Sequence, residues 1–282
     1  MRSFVSFLAG LLAAALLVLV LPLVWVATHV ASEDGYVDFS ASLIQDESFR
    51  DEVIAAAGDE VVSRVGLPSA AVTPVRQALA AASDRLVEQD GFDAAWAEAQ
   101  RQSHRAVFSD PRELSPDLYA SNRLVIDVAP IAQAVVDGAS ERLPVSVDVP
   151  GQILVPVGGN DQRQLVERIR DTPEQAVLAG ILAAGLAIIS VLAARRRGRA
   201  VAWLGLGAVA AALVVRLISH EVVPEIMARN TSTGPLGQRM QDLLAEHAVA
   251  SMDRLGVMVM IAGGVVAIAS TLVAVGTRRP AR

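Results

Sequence analysis

The sequence predicts a membrane all-α four-helix bundle carrying a small extracytoplasmic α+β domain, helices first and then a short mixed sheet. Three observations predict it. Four stretches free of Asp, Glu and Arg, namely Ser3–Ser32, Gln175–Ala194, Ala200–Val215 and Leu255–Thr277, run for 30, 20, 16 and 23 residues, and about 20 apolar residues carry a helix across a bilayer. Acidic and basic side chains are segregated among the segments between those stretches. About 140 residues separate the first stretch from the second, enough for one independently folded domain. With 53% of 282 residues hydrophobic, a soluble globular protein is excluded. The absence of cysteine excludes a disulfide scaffold, thiolate metal sites and a Cys nucleophile.

The expected segments are an N-terminal transmembrane anchor over 1–31, the extracytoplasmic domain over 32–173, a transmembrane helical hairpin over 174–218, an extracytoplasmic segment with an amphipathic helix over 219–254, and the last span with its basic tail over 255–282. In the first, Arg2 makes a short basic start, as in a signal peptide. The apolar run is longer than an h-region of about 7–15 residues, and its small-residue exit at Val30-Ala31-Ser32 places His29 at the −3 position, so an uncleaved anchor is expected. The third stretch reaches span length only by including Arg216–Ser219. Arg216 then lies about one turn from the outer surface, where it snorkels to water or pairs with an acid of the outer domain or of another subunit.

Charge sets the expected orientation. Arg2, the cluster Arg195, Arg196, Arg197 and Arg199, and the tail Arg278, Arg279 and Arg282 have no acid among them. Residues 31–173 carry 24 acids against 12 arginines, and residues 219–254 carry five against three. The positive-inside rule places both termini in the cytoplasm of a multi-pass plasma-membrane protein, with the main domain outside. The arginine run between two spans reads as a topological lock that contacts anionic lipid, and no nucleic-acid partner is expected. Small residues at helix-contact spacing, such as Gly180 with Ala184, Gly207 with Ala211, and Gly256 with Gly263-Gly264 nearby, suit a packed bundle.

Within the outer domain, Phe49, Val53, Ala57, Val61 and Val65 recur every four residues, which predicts a helix ending near Gly66. Thr73-Pro74 reads as a cap with proline at the first helical position, opening a helix that stops at Gly91. A third helix is expected from about Asp93 to Val107. Leu118–Ala120 and Leu124–Val128, around Ser121-Asn122, read as a hairpin. Helical spacing returns over Ala129–Leu143, strands follow at Val145–Asp148 and Gln152–Val155 around Pro150-Gly151, and Gln162–Arg170 is helical. After Gly234-Pro235, Leu236, Met240, Leu243, Leu244, His247 and Met252 keep helical spacing into the last span. A helix from Pro235 to Thr277 is roughly 60 Å long, about twice the hydrocarbon thickness, so its outer half is expected to lean on the outer domain or on a partner.

The densest polar cluster lies on the third of these helices. Trp96, Gln100, Ser103 and His104 share one face, with Arg101 one turn before His104. Asp127 sits in an otherwise apolar strand, where a charged carboxylate needs a donor, and Arg101 or His104 is the natural partner. The set Trp96, Gln100, Arg101, His104 and Asp127 is therefore either a buried tie between helix and sheet or a pocket in which His beside a carboxylate acts as general base. No catalytic residue is assigned. There is no G-x-S-x-G elbow and no lysine for S-x-x-K; Gly158-Gly159-Asn160 lacks a following GK[ST]. His29, His104, His220 and His247 do not stand at zinc-ligand spacing, so no metal and no cofactor is expected.

The segments Trp96-Ala97-Glu98-Ala99-Gln100-Arg101-Gln102-Ser103-His104 and Val125-Ile126-Asp127-Val128-Ala129-Pro130 are similar to the W-x-x-A-N-R-x-A-H segment and V-x-L-D-hydrophobic strand of a family. In these and in the order of its spans the chain resembles that family of actinobacterial four-span integral membrane proteins, itself uncharacterised. Gln100 stands for the usual Asn and Ser103 for the usual Ala. The resemblance implies the architecture and no activity. The expected function is interaction: the acidic outer domain acts as an interaction or accessory module for another envelope component. An acidic surface opposes nucleic acid and anionic head groups and suits basic proteins or cations. The alternatives are an envelope-acting hydrolase or transferase using Arg101, His104 and Asp127, and a sensor or transporter accessory subunit.

Overall fold

Helices form wherever the sequence offers an uninterrupted apolar run or a four-residue apolar period. The computed structural model describes residues 2–64, 69–88, 91–108, 125–140, 147–156, 163–229 and 235–276. In chain order these hold α1 (Arg2–His29), α2 (Glu33–Ser40), a 3-10 turn (Leu43–Gln45), α3 (Glu47–Arg64), α4 (Ser69–Glu88), α5 (Gly91–Phe108), β1 (Val125–Asp127), α6 (Ala129–Ala139), β2 (Leu154–Pro156), α7 (Arg163–Arg170), α8 (Thr172–Ala193), α9 (Arg197–Arg229) and α10 (Pro235–Gly276). The chain divides into two compact units: Met1–Ala31, Ile169–Ile226 and Ala248–Arg282 form a bundle unit, and Ser32–Arg168 with Met227–His247 forms a mixed unit.

In the bundle unit, α1, α8, α9 and α10 are each long and apolar enough to cross a membrane, and no more than 22% of any such apolar window is buried inside the protein. The exposed large hydrophobic side chains of the described residues, from Phe4 to Val273, all lie on these four helices. That much apolar surface turned outward calls for lipid rather than water.

Small and polar residues set the helix contacts, because dispersion and interhelical hydrogen bonds replace the hydrophobic force between helices in lipid. Ser6 and Ser190 each donate a hydroxyl to the other's backbone carbonyl at 2.8 Å, pinning α1 to α8. A Cβ on Gly205 would lie 2.5 Å from the Gly263 carbonyl oxygen, and one on Gly263 2.7 Å from that of Gly205, so α9 and α10 cross at backbone distance. A Cβ on Gly198 would meet Ala274, and one on Gly256 the Ala212 carbonyl, which makes α9 and α10 antiparallel. Gly207 approaches Ala14, whereas Gly180 and Gly264 face open space. Of the expected small-residue contacts, those at Gly207, Gly256 and Gly263 form and the one at Gly180 does not.

These contacts sort the bundle into two ends. Ser6, Ser190, Gly198 and Ala274 lie at one, together with exposed Arg2, Arg195, Arg196, Arg197 and Arg199. Trp25, whose indole N–H donates to Ser251 at 3.1 Å, lies at the other, where Arg216 and His220 meet Asp253 at 3.3 and 3.0 Å. Arg216 is thus an ion-pair partner, and its acid is on α10 rather than in the outer domain or another subunit. The third span also runs on past Ser219: α9 continues to Arg229 with Pro224 inside it.

The mixed unit buries its apolar stripes in the ordinary way. Phe49, Val53, Ala57 and Val61 of α3 pack with Val75 and Leu79 of α4, Trp96 and Ala99 of α5, Ile131 and Val135 of α6, and Ile153. Met240 and Leu243 of α10 join this core, and Arg239 donates to Asp46 at 2.8 Å and to Ser48 at 3.3 Å, so the first turns of α10 pack within this unit, the first of the two contacts expected of them. α2 is an addition to the sequence reading. Ser32 caps it by accepting from the Gly35 N–H, and Glu33 and Asp34 occupy its positive first turn.

Several expectations change. α4 starts at Ser69, so Thr73 and Pro74 stand inside it rather than at its cap. Proline forfeits one backbone hydrogen bond there, while Val72, in the extra turn, packs on the core. The described sheet is two-stranded and antiparallel, with Val125, Ile126 and Asp127 opposite Pro156, Val155 and Leu154. Residues 147–150 form no strand; Pro150 has no N–H for a ladder, though Val147 and Val149 still pack on the core. The proposed strand at Leu118–Ala120 with its Ser121-Asn122 turn, Val145 and Ser146, Gly158–Asn160, and Arg278, Arg279 and Arg282 lie outside the described residues.

The Gly205–Gly263 crossing yields a paired test. Gly205→Ala is expected to lower stability by about 1–3 kcal/mol, the usual penalty for overpacking, in thermal unfolding of the detergent-solubilised protein. Gly264→Ala, facing open space one residue away from the contact, is expected to leave the midpoint unchanged.

Candidate functional site

The polar face of α5 is a joint between helix and sheet, built on Ser103 and Asp127. Ser103, 2% exposed, donates its hydroxyl to the Ala99 carbonyl one turn earlier at 2.6 Å and accepts the Asp127 backbone N–H at 2.8 Å. Asp127, 1% exposed, turns Oδ1 onto two backbone N–H groups, Ala129 at 3.0 Å and Ile153 at 2.9 Å. The Val128 N–H returns a bond to the Ile153 carbonyl at 2.9 Å. One carboxylate oxygen thus holds the first turn of α6 and the approach to β2, and it stands at a helix N-terminus, where the backbone dipole favours negative charge.

The expected partners of Asp127 are elsewhere. Arg101 is half-buried and donates to Glu98 on its own helix at 3.1 Å, beside the Gln102 amide, which reaches the same carboxylate at 3.1 Å. His104 is buried, stacked on Phe108 at 4.4 Å between ring centres and tilted against Tyr36 at 5.4 Å. The pairing of Asp127 with Arg101 or His104 is therefore corrected: the carboxylate serves backbone amides, which are the nearer donors once β1 and β2 pair.

Trp96 is buried and donates its indole N–H to the Ser40 carbonyl at 3.1 Å, with its ring edge-on to Phe49 and stacked near Phe92. Gln100 is fully buried, and neither end of its amide meets a partner among the described residues. Of the five predicted residues, Trp96, Gln100, His104 and Asp127 are buried in one unit, but the bonds that organise them run through Ser103 and the backbone. Ser103 stood on the predicted face without a role. Its signal was a small hydroxyl in line with buried Trp96 and Gln100, placed where it can bond back one turn and still offer an acceptor.

Ion pairs also tie α5 to α2 and α10 to the residue before α3. Arg105 clasps Glu33 with two bonds of 2.9 and 2.8 Å, and those bonds hold the Glu33 carboxyl below its ordinary value against a smaller opposing effect of burial. Bonds from the Ser48 hydroxyl and the Phe49 N–H, and then Arg239, hold Asp46 below its ordinary value. Tyr36, half-buried as a residue, has its phenol pushed up to about 12 by burial. Arg195, Arg196, Arg197 and Arg199, expected from the sequence to set topology, are all exposed and belong to the bundle unit.

No protein-family model, curated protein or solved structure matches the chain.

Two predictions follow from the joint and its ion pairs. Asp127→Ala orphans two buried N–H groups and is expected to destabilise the protein by about 2–5 kcal/mol, with Asp127→Asn losing roughly half as much because it keeps one acceptor oxygen; thermal unfolding measures both. For Glu33 the folded value lies below the unfolded one near 4.5, so its contribution is complete above that value and is lost as pH falls through the folded value. Glu33→Gln is expected to lower stability modestly in the neutral region, where the contribution is complete, and to leave it little changed in acid, so that the acid limb of the stability–pH curve flattens; an unaltered acid limb would rule out the linkage.

Proposed function

We propose that the chain is a four-span plasma-membrane protein with both termini cytoplasmic, and that its mixed unit is an extracytoplasmic interaction or accessory module for another envelope component. The observation that carries this reading is the use of the polar cluster: Ser103 and Asp127 spend their side chains on backbone groups inside the fold, and Arg101 bonds Glu98. A general base needs His104 oriented by a carboxylate, and the carboxylate proposed for that task has other partners. What the mixed unit offers outward is acid, in a segment with twice as many acidic residues as arginines. That surface suits a basic partner.

The orientation is supported by the placement of Arg2, Arg195, Arg196, Arg197 and Arg199 at one end of the bundle and of Asp253 at the other. The resemblance to four-span actinobacterial membrane proteins agrees with it.

Because the chain lacks cysteine, single-cysteine variants label without background. Glu52→Cys is expected to react with a membrane-impermeant maleimide in intact cells, and Ala281→Cys only after permeabilisation; the reverse pattern would overturn the orientation. Affinity purification in mild detergent is expected to bring down one defined envelope protein, released by raised salt because the contact is electrostatic. Isolation of the chain alone and monodisperse from several detergents would count against the module. So would loss of a cellular phenotype in His104→Ala at normal protein abundance, which would favour the hydrolase or transferase.

A further inference from the structure

At the arginine-bearing end of the bundle unit, α1, α8 and α9 leave between them a cleft of about 740 Å³, within the range of roughly 300–1,000 Å³ usual for small-molecule sites. Its two ends differ in chemistry. Arg195, Arg196 and Arg199 stand at one end beside Trp203, and Phe7, Leu11, Leu206 and Ala210 line the rest. The three guanidinium groups are exposed and make no ion pair among the described residues. Among the described residues, no acid lines the cleft. Three cations held together without a counter-charge repel one another and favour an anion placed between them.

Length narrows the class of anion. From Arg199 to Ala210 the cleft follows eleven residues of α9, about 16 Å of helix, which is close to half of a hydrocarbon core of about 30 Å. Ser3 to Ala14 of α1 runs alongside for the same number of residues. The cleft is therefore one leaflet deep, cationic where head groups lie and apolar toward the midplane. Trp203 sits near the cationic end, the level at which tryptophan is enriched in membranes. A free phosphate or a nucleic acid would satisfy the arginines and leave the apolar walls empty.

We infer that this cleft binds one anionic phospholipid, its phosphate held by Arg195, Arg196 and Arg199 and an acyl chain laid along Phe7, Leu11, Leu206 and Ala210. Guanidinium groups suit the task because their planar fork meets phosphate oxygens in pairs. The site rests on the reading that the four helices cross a membrane and is independent of what the mixed unit contacts. It gives the arginine cluster a second role: besides fixing orientation, it selects a lipid.

The test uses the full chain in detergent micelles, titrated with dioleoyl phosphatidylglycerol or dioleoyl phosphatidylcholine and read by native mass spectrometry. One phosphatidylglycerol is expected per chain, preferred over phosphatidylcholine. Each arginine near an anionic surface contributes about fivefold, so Arg195→Gln, Arg196→Gln and Arg199→Gln together are expected to weaken phosphatidylglycerol on the order of a hundredfold. Because those arginines also set orientation, Ala210→Phe provides a variant that fills the apolar end and keeps every charge. It is expected to weaken phosphatidylglycerol at least about tenfold, since each buried methylene of an acyl chain matters, with an unchanged thermal midpoint. Equal retention of the two lipids, wild-type binding by Ala210→Phe, or displacement of phosphatidylglycerol by inorganic phosphate would each overturn the lipid site. The labelling pattern of Glu52→Cys and Ala281→Cys, with all arginines in place, reports separately on whether the bundle crosses the membrane.

Discussion

Gly205 and Gly263 bring α9 and α10 together at backbone distance, and the contacts above and below depend on that crossing. Asp253 lies ten residues before Gly263 on α10, and Arg216 eleven residues after Gly205 on α9, so on antiparallel helices both are about 15 Å from the crossing in the same direction. That is why Asp253, just before the apolar stretch of α10, meets a guanidinium and an imidazole on α9, at 3.3 and 3.0 Å. Sliding α10 by one turn would move Asp253 by about 5.4 Å and leave all three groups unpaired in a setting where isolated charge is expensive. The glycines supply closeness and the ion pairs supply register.

The two compact units obey opposite surface rules, and α10 contributes to both. Its early residues Met240 and Leu243 are buried in the core of the mixed unit, whereas Ile261, Val265, Leu272 and Val273 of the same helix are exposed. In the bundle unit, many of the buried side chains are small, such as Ala13, Ala183, Ala211 and Ala212, and most large hydrophobic side chains face outward, with Leu21, Trp25 and Val215 among those turned in. This is the arrangement expected when the surroundings are as apolar as leucine and close backbone approach is the main gain from helix contact. In the mixed unit the large side chains Phe49, Phe92 and Trp96 are inside, as burial from water requires.

Signals that depend on one segment alone were legible in the sequence. The apolar stretches became α1, α8, α9 and α10, and the four-residue period beginning at Phe49 became α3. Signals that depend on a partner were harder to read. Pro74 looked like the first residue of a helix because proline is favoured there; the preceding turn from Ser69 is helical because Val72 finds a place in the core, a tertiary contact that propensity does not encode. β1 was recognisable by its β-branched residues, but its pairing with β2 joins residues nearly thirty apart and carries no local mark. α2 did have a local mark, Ser32 followed by Glu33 and Asp34, yet eight residues are too few to show a period.

The polar cluster shows why nearness in sequence misled about chemistry. Successive residues on an α-helix point about 100° apart, so Arg101, Ser103 and His104 cannot all address one strand. Once Ser103 faces β1 and accepts the Asp127 N–H, His104 is carried round to Tyr36 and Phe108, and Arg101 toward Glu98. Asp127 then stands at the end of β1, immediately before α6, with the Ile153 N–H opposite it, and a buried amide left without an acceptor there would cost about 1–3 kcal/mol. The carboxylate meets that need with one oxygen and stabilises the positive end of α6 with the same contact. A buried acid in an apolar strand therefore reports a backbone that has run out of acceptors at a strand-to-helix corner, and only afterwards, if a second titratable group is brought to it, a reacting centre.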